Sequence, residues 1–350
     1  MKILGIESSC DETAASVVED GRTVLSNVIN SQIDIHAVYG GVVPEVAARS
    51  HIEFINPVIN QALSDAKLTW DDIDAIAVTY APGLVGSLLI GTLAARTLAL
   101  LKNKPLYPIH HVEAHVYANF LNEKAPEFPI LALIVSGGHS QLVLFRDHGD
   151  YDLLGQTCDD AIGEAFDKVA KIIGLPYPGG PSIAKAALDG NPLAYKLPKA
   201  KMSGAYDFSF SGLKTATLRA VQREVGVDFT FPSHNLAERL TSQQQLDFAA
   251  SFQRTAVETL VDKTEKAFNE YHPKSVVIAG GVAANQELRR ILSDRIPIGI
   301  DYAPMNLCTD NAAMVASLGY YFAQKNKASD PFKVEVMPSL SMTKTTWANV

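Results

Sequence analysis

The sequence predicts a duplicated α/β protein. Two regions each contain three short apolar runs that are joined by polar turns, which is the pattern of a three-stranded antiparallel meander. The runs lie at 2–6, 13–18 and 23–29 in the first region and at 130–135, 141–145 and 151–156 in the second. Helical and strand patterns alternate after each meander. A meander pattern that occurs twice indicates two related halves, and we expect ligands at the turns that follow strands, in a cleft between the halves.

Length and composition are typical of a globular protein. The chain has 350 residues, of which 47% are hydrophobic and 19% charged, and this is enough for two domains with separate cores. A net charge of −8 argues against extensive coating of nucleic acid. The three cysteines form no C-x-x-C pair, no signal peptide is recognisable, and no apolar run reaches the approximately 18 residues that span a bilayer. We therefore expect a cytoplasmic protein without disulfides or a membrane anchor.

After the first meander, a helical pattern begins at Glu45. It places Ala47, Ala48, Ile52, Ile55 and Ile59 on one face and is interrupted by Pro57. A buried strand at 73–80 leads to the turn 81–87, which lacks the G-K-[ST] ending of a phosphate loop and is interpreted as a structural turn. A long helix follows and ends near Leu101.

The second half follows the same order. A helix after Asp159-Asp160 ends at Gly174, and a long helix covers 246–270. The strand 275–279 precedes the turn 280–285 (Gly-Gly-Val-Ala-Ala-Asn), where the backbone of a helix start can approach a nucleotide closely. The last helix covers 309–323.

Two histidines, His111 and His115, follow the apolar run 106–109 and open a helical pattern. Positions i and i+4 lie on one helix face, so both imidazoles can reach one metal ion. Glu113 lies roughly 200° round the helix from His111, which does not fit the H-E-x-x-H pattern of metalloproteases. Two polar residues at a solvated helix start are the alternative.

Two turns are candidates for phosphate binding and catalysis. Ser136-Gly137-Gly138-His139-Ser140 connects two strands, and its glycines allow backbone N–H groups to approach an anion, although an ordinary hairpin has the same pattern. The equivalent first-half turn, 8–13, carries Asp11 and Glu12. We expect the two turns to bracket a nucleotide phosphate.

Cys308-Thr309-Asp310-Asn311 opens the last helix. Asp310 is either a helix cap or a third, oxygen ligand beside the two histidines. Cys10, Cys158 and Cys308 are interpreted as small buried hydrophobic residues rather than nucleophiles.

The segment 195–219 holds five cations and one acid, Asp207, in an otherwise acidic chain. Four aromatic residues are interleaved with these charges, a mixture suited to phosphates and unstacked bases. A solvated loop is the alternative. The aromatic residues are Tyr195, Tyr206, Phe208 and Phe210, and the candidates for nucleic-acid contact are Lys199, Lys201 and Lys214.

Four motifs together resemble one family. They are residues 5–13 (Gly-Ile-Glu-Ser-Ser-Cys-Asp-Glu-Thr), His111-x-x-x-His115, residues 135–139 (Val-Ser-Gly-Gly-His) and residues 308–311 (Cys-Thr-Asp-Asn). The sequence from residue 2 to about residue 323 is similar to the tRNA threonylcarbamoyltransferase family in its bacterial branch. That family has an actin-like ATPase-domain fold of the ASKHA type. The resemblance implies lobes at 1–129 and 130–305, with an insertion at 195–240, and a C-terminal helix and tail at 306–350 that pack back on the first lobe.

The resemblance implies transfer of a threonylcarbamoyl group from threonylcarbamoyl-AMP to the exocyclic amine of the adenosine 3′ of the anticodon, in tRNAs that read ANN codons. It implies that His111, His115 and Asp310 hold one divalent metal, Fe²⁺ or Zn²⁺, and that Asp11 and Glu12 form the acidic turn at the reaction centre. Positions matching adenylate-binding residues are Ile134, Val135, Ser136, Gly137, Gly138, Asp167, Gly180 and Asn285. Implied partners besides tRNA are an inactive paralogue of the TsaB type and a small ATPase of the TsaE type. A metalloprotease and an actin-like ATPase or chaperone-type binding module are the rival functions.

Overall fold

The computed structural model describes residues 1–343 and Trp347. Its contacts divide the chain into two compact units. Unit 1 comprises Met1–Pro129, Phe145–Asp152 and Asp301–Val350, and unit 2 comprises Ile130–Leu144 and Leu153–Ile300. The lobe boundaries given above remain a prediction.

The elements follow the predicted alternation of strands and helices. Strands β1–β10 span, in chain order, Lys2–Glu7, Glu12–Glu19, Thr23–Ser31, Ala75–Ala81, Leu106–His110, Ile130–Val135, Ser140–Asp147, Asp150–Gln156, Ser275–Ala279 and Ile300–Tyr302. Helices α1–α10 span Ile33–Ala37, Pro44–Asp65, Val85–Lys102, His111–Tyr117, Ile162–Ile173, Gly179–Ala187, Ser211–Glu224, Ser242–Tyr271, Gln286–Arg295 and Ala312–Lys325. Short 3-10 helices cover Trp70–Asp72, Ala118–Leu121, Ser233–Asn235, Ala237–Arg239, Gly281–Ala284 and Met305–Leu307.

The sheet of unit 1 has the strand order β3-β2-β1-β4-β5. Strands β1, β2 and β3 pair antiparallel, as the meander pattern predicts, whereas β1, β4 and β5 pair parallel. Leu4 and Ile6 pack into a core with α2 and α3, while Gly5, on the other sheet face, lets α10 approach. A Cβ at Gly5 would lie 2.3 Å from the carbonyl oxygen of Ala312. Because β1, β4 and β5 are parallel, their carboxyl ends, with the acidic turn and the start of α4, lie at one sheet edge.

Helix α2 corrects two details of its predicted pattern. It continues through Pro57 without a break. Pro57 and Glu53, the residue whose carbonyl loses its helical partner, are both exposed, so water can satisfy that oxygen. Ile52 is 61% exposed, and His51 takes the inward position beside Ala47 instead.

Helix α3 corrects the expectation that no apolar run is long enough to cross a bilayer. It has 18 residues with a mean hydropathy of 1.4, which satisfies that criterion by length and composition only. A third of this window is buried, through residues such as Leu88, Gly91 and Ala95. Since one face packs into the core of unit 1, we interpret α3 as a helix of the folded unit.

The second sheet has the order β10-β9-β6-β7-β8, and β6 pairs parallel with β9 so that Ile134 lies opposite Ala279. The core of unit 2 lies between this sheet and the helices, and Phe166 and Phe252 meet in it with ring centroids 5.0 Å apart. Parallel pairing brings the turns after β6 and β9 to the same edge.

Candidate metal centre and glycine-rich site

The structure brings His111, His115 and Asp310 together within unit 1. One potential ligand atom from each lies within 4.8 Å of the others. Asp310 Oδ1 is 3.6 Å from His111 Nε2 and 3.2 Å from His115 Nε2. Helix α4 begins directly after β5 and supplies the histidines one turn apart, and the segment before α10 supplies the carboxylate.

Asp310 is not the cap of α10. The cap is Asn311, whose side-chain oxygen accepts from the backbone N–H of Met314 at 3.0 Å, so the helix begins at Ala312 rather than at 309. The capping alternative for Asp310 is therefore wrong, and its Oδ1 lies beside the two imidazoles instead.

Glu7, at the end of β1, holds His111. The Glu7 side chain is completely buried, and its Oε2 lies 3.0 Å from His111 Nδ1 and 2.6 Å from the hydroxyl of Thr79. Its Oε1 accepts from the backbone N–H of Ser9 at 2.6 Å. Burial raises the pKa of Glu7, but the imidazole of His111 outweighs burial and holds this pKa below its ordinary value. An ionised Glu7 accepts a hydrogen bond from the Nδ1–H of His111 and leaves Nε2 for a ligand, which is the usual environment of a metal-binding histidine.

His115 supports a cation at this place. Its side chain is buried, and among the described residues neither ring nitrogen makes a hydrogen bond of normal geometry, although Nε2 lies 3.2 Å from Asp310 Oδ1. Buried polar atoms are normally satisfied, so an unsatisfied imidazole facing a carboxylate fits a metal ligand. Two imidazoles and one carboxylate suit Zn²⁺ or Fe²⁺ better than Mg²⁺ or Ca²⁺, which prefer oxygen ligands.

His111 is protonated in the absence of metal. Burial lowers its pKa, but the carboxylates of Glu7 and Asp310 outweigh burial and raise the pKa to about 9. A divalent cation at Nε2 must therefore displace a proton near neutral pH, whereas the Nδ1 proton remains on the Glu7 side.

The acidic turn is fixed by groups from α2 and α3. The carbonyl oxygen of Cys10 accepts from His51 Nε2 at 3.0 Å and from Ser87 Oγ at 3.1 Å. His51 Nδ1 lies 2.7 Å from the hydroxyl of Thr13, and burial lowers the pKa of His51, so this imidazole is neutral. No motif in the sequence marks His51 as functional, because a single polar residue within a helical pattern is common.

Glu12 lies among other carboxylates. Burial raises its pKa well above the ordinary value, and the negative charges of Asp310 and Asp11 raise it further. Its Oε1 accepts from the hydroxyl of Ser31 at 3.2 Å. The predicted acidic turn is thus next to the candidate metal ligands, in the same unit.

The cysteines fit the sequence prediction only in part. Burial and the carboxylates of Asp11 and Asp310 raise the pKa of Cys10 well above that of an ordinary thiol, which disfavours a nucleophile there. Cys308 is buried and donates to the carbonyl of Ala303 at 3.2 Å. Cys158 is exposed, so its assignment as a buried residue is wrong.

Glu113 does not serve the histidine pair. Its buried carboxylate accepts from Trp347 Nε1 at 2.7 Å and from the Tyr151 hydroxyl at 3.4 Å. These contacts hold it in the core of unit 1, which agrees with the argument from helix geometry against a metalloprotease.

The glycine-rich turn in unit 2 is a hairpin with one open side. Ser136 N–H donates to the His139 carbonyl at 2.8 Å, and Glu164 N–H donates to the Gly137 carbonyl at 3.2 Å. A Cβ at Gly137 or Gly138 would meet no atom of the described residues within 4 Å. The exposed side of this anchored turn therefore has room for a ligand.

The other predicted adenylate positions also lie in unit 2. Asp167 Oδ1 accepts from the backbone of Gly179 at 2.6 Å, and a Cβ at Gly180 would meet only open space within the part of the chain described. Asn285 caps α9 through Leu288 N–H.

Two positions in β6, Ile134 and Val135, are completely buried. Contact between their side chains and a ligand is therefore excluded, and only their backbone can take part. Gly280 also belongs to this region, although the sequence did not single it out. It has a positive φ of 88°, and the turn after β9 packs here against the carbonyl of Val135.

The prediction that the segment 195–219 binds phosphates and unstacked bases is wrong for its aromatic residues. Three of them are buried in the core of unit 2, and the fourth stacks on a buried phenylalanine. Lys199 lies 2.7 Å from Asp262, and Lys214 lies 2.7 Å from Asp160, so carboxylates largely balance both charges. Lys201 is exposed. The buried aromatic residues are Tyr206, Phe208 and Phe210.

Comparison with known proteins first defines the structural class. A solved structure of HypF from T. kodakarensis aligns with a TM-score of 0.60 at 14% identity, covering 92% of this chain and 48% of that one. This similarity concerns the fold alone and confirms the predicted actin-like α/β class.

The chain belongs to the TsaD family, whose model is described as tRNA N6-adenosine threonylcarbamoyltransferase and matches residues 23–317. A relative of that name from Thermomicrobium roseum is 52% identical over 343 residues, covering 94% of both chains. Another from Dehalococcoides mccartyi is 52% identical over 343 residues, covering 98% of this chain and all of the relative. The family and the transferase activity predicted from the sequence motifs are thereby confirmed.

Proposed function

We propose that this protein transfers the threonylcarbamoyl group from threonylcarbamoyl-AMP to N6 of the adenosine 3′ of the anticodon, in tRNAs that read ANN codons, and releases AMP. The observation that carries the proposal is the His111–His115–Asp310 group, with the unsatisfied imidazole of His115, beside the acidic turn. Membership of the family supports the same reaction. Because tRNA is the acceptor, we place the protein in the cytoplasm.

In this proposal unit 2 binds the donor. The Ser136 and His139 N–H groups bond within the hairpin, so the backbone N–H groups of Gly137 and Gly138 face the phosphate of the adenylate, and the open side of these glycines leaves room for it. The open position at Gly180, next to the Asp167 contact with Gly179, supports the adenosine part of the same site.

His111, His115 and Asp310 would hold one divalent ion, Fe²⁺ or Zn²⁺. When bound, such an ion supplies Lewis-acid polarisation and orientation of substrate oxygens. Glu7 fixes the tautomer and orientation of His111.

The acidic turn supplies the proton acceptor in this proposal. An exocyclic aromatic amine is a poor nucleophile and must lose a proton when it attacks, and a carboxylate of Asp11 or Glu12 takes that proton. His51 and Ser87 hold the turn in position through the Cys10 carbonyl.

Substitutions should separate binding from chemistry. Asp11→Asn or Glu12→Gln should retain affinity for the donor and lose transfer, because a base that acts only in the transition state contributes little to ground-state binding. Gly138→Val should lose donor affinity, since its side chain fills the open side of the turn. Calorimetry with a non-hydrolysable threonylcarbamoyl-adenylate mimic measures affinity, and mass spectrometry of tRNA nucleosides measures transfer. If both acid variants lose affinity as fully as Gly138→Val, the acids are ligands and their assignment as bases fails.

The exposed face of α3 is the place where we propose that an inactive paralogue of the TsaB type docks. Val85, Leu89 and Leu93 follow each other at i,i+4 spacing and are 56%, 50% and 60% exposed. Such an apolar stripe on a surface helix is typical of a helix-packing interface. We propose a small ATPase of the TsaE type as a further partner, on the family resemblance alone.

Leu89→Asp with Leu93→Asp should abolish association with the purified paralogue, because two charges would be buried in an apolar interface. Leu188→Asp with Leu193→Asp, at exposed leucines of unit 2, is the matched control. Sedimentation velocity of mixtures measures the association. Complex formation that is equal in both double variants would place the interface elsewhere.

A further inference from the structure

Unit 2 contains a cavity of about 580 Å³ that belongs neither to the candidate metal centre nor to the glycine-rich site. It lies between the loop that carries Lys196 and helix α7, which contributes Arg219 and Arg223. The loop after α7 closes it with Asp228 and Phe229. We propose that this cavity binds an unpaired nucleotide of the tRNA, with its phosphate on the cations and its base on Phe229. The choice of tRNA as the RNA rests on the proposed function.

Lys196 and Arg219, two of the cations of the segment 195–219 that form no ion pair among the described residues, lie at the cavity. Lys199 and Lys214 lie in ion pairs elsewhere on unit 2, with Asp262 and Asp160. The cavity lining, in contrast, has three cations and one acid, Asp228. That acid accepts from the backbone N–H of Thr230 at 2.8 Å. In a chain with a net charge of −8, a local excess of positive charge is a candidate contact for phosphate.

Phe229 is suited to stacking. It is 73% exposed, which is unusual for a phenylalanine, and the guanidinium carbon of Arg219 lies 5.7 Å from its ring centroid. An exposed aromatic ring beside an arginine is the combination on which proteins stack unpaired bases. It also differs from the aromatic residues of 206–210, which are buried and cannot take this role.

The loop that presents Phe229 is held in place by a buried polar residue. Gln222 is only 3% exposed, and its amide group donates to the carbonyls of Phe229 and Phe231, both at 3.4 Å. Arg219 donates to the Gln222 side-chain oxygen at 2.8 Å and to the Phe229 carbonyl at 3.4 Å. The exposed ring is therefore attached to a braced loop, and less conformational entropy is lost when a base stacks on it.

The cavity also has apolar walls, formed by Leu197, Pro198 and Val227. Cations, an aromatic ring and apolar walls together match a nucleotide rather than an inorganic phosphate, which has no apolar part. A nucleotide within RNA and a free mononucleotide share this chemistry. We favour RNA because the lining has an excess of positive charge beside the exposed ring of Phe229, and unpaired RNA bases are commonly read by this combination.

The test uses the full chain and an unmodified tRNA transcript that reads an ANN codon. Arg223→Ala and Phe229→Ala change exposed side chains, and the matched control Lys171→Ala with Lys274→Ala removes exposed cations elsewhere on unit 2. Fluorescence anisotropy over a salt titration measures the affinity for tRNA and its salt dependence. The same measurement with AMP in place of tRNA tests whether the cavity binds a free nucleotide. Thermal unfolding verifies that each variant is folded, and Arg223→Lys retains the charge.

Phe229→Ala should weaken tRNA binding about tenfold, with little change in salt dependence, because it removes stacking. Arg223→Ala should reduce the slope of log affinity against log salt by about one unit, and Arg223→Lys should restore it. In transfer assays both variants should raise KM for tRNA and leave kcat nearly unchanged, whereas the control double variant should behave as the original protein.

Several outcomes would overturn the inference. The first is unchanged tRNA affinity in both variants while the original protein transfers normally. The second is an equal loss of tRNA affinity in the control double variant. The third is AMP binding that depends on Phe229 while tRNA binding does not. Failure of the proposed function looks different, since the original protein would then bind tRNA without modifying it.

Discussion

Replacement of both His111 and His115 by alanine should abolish metal binding and tRNA modification together. Two of three ligands are lost, and a single carboxylate, Asp310, is too weak a site to retain a divalent ion. Elemental analysis of purified protein should fall from about one divalent ion per chain to none. Analysis of modified nucleosides in tRNA from cells that carry only the variant should show loss of the threonylcarbamoyl product.

The matched control replaces two exposed histidines of unit 2, as His234→Ala with His272→Asn. Asparagine is chosen for the second position because His272 has a positive φ of 48°, which asparagine tolerates. This control should keep both metal and activity. Active original protein without bound metal would refute the metal site, and a variant that keeps its metal would locate the ion elsewhere.

Glu7→Gln should lower metal affinity about 10- to 100-fold, the usual effect of removing a group that orients a metal ligand. Glu7 accepts from three donors, which are Ser9 N–H, the Thr79 hydroxyl and His111 Nδ1. A glutamine has one acceptor oxygen, so its NH₂ group must face one of these donors. If the NH₂ group faces His111, Nδ1 must accept a hydrogen bond instead of donating one. The proton of the neutral imidazole then lies on Nε2, the atom that a metal ion requires.

Competition with a chromophoric chelator measures this affinity directly, without reference to catalysis. Transfer by Glu7→Gln should recover when metal is added in excess, which a misfolded protein would not do. Glu19→Gln, at a partly exposed acid of β2 that pairs with Lys2, is the control and should leave the affinity unchanged. An unaltered affinity in Glu7→Gln would show that His111 needs no orienting carboxylate.

The sequence alone determined the fold class and the site motifs. Alternating apolar runs and turn residues gave β1 to β3 and β6 to β8, because the period of two in a strand and the preferences of turns are local properties. Spacing paired His111 with His115, since helix geometry is also local. Chain order and several long motifs supported the family that the comparisons confirm.

Only the tertiary structure decided which residues that are remote in sequence contact these motifs. Glu7 and His111 are separated by 104 positions, and only the parallel pairing of β1, β4 and β5 brings them within 3.0 Å. The sequence could not assign the N-cap of α10 either, because aspartate and asparagine are both favoured at that position, and Asp310 and Asn311 are adjacent. The backbone alone assigns the cap to Asn311 and leaves Asp310 beside the histidines.

The burial of individual side chains was the other property that the sequence did not predict. Phe208 and Phe229 are the same residue type in the same basic region, yet one is completely buried and the other is 73% exposed. Similarly, His51 rather than Ile52 faces inward from α2, where it holds the acidic turn. The exposure of a side chain depends on the elements that pack around it, and those elements are remote in sequence. Composition and periodicity therefore indicate which residues are capable of a role, while packing selects those that perform it.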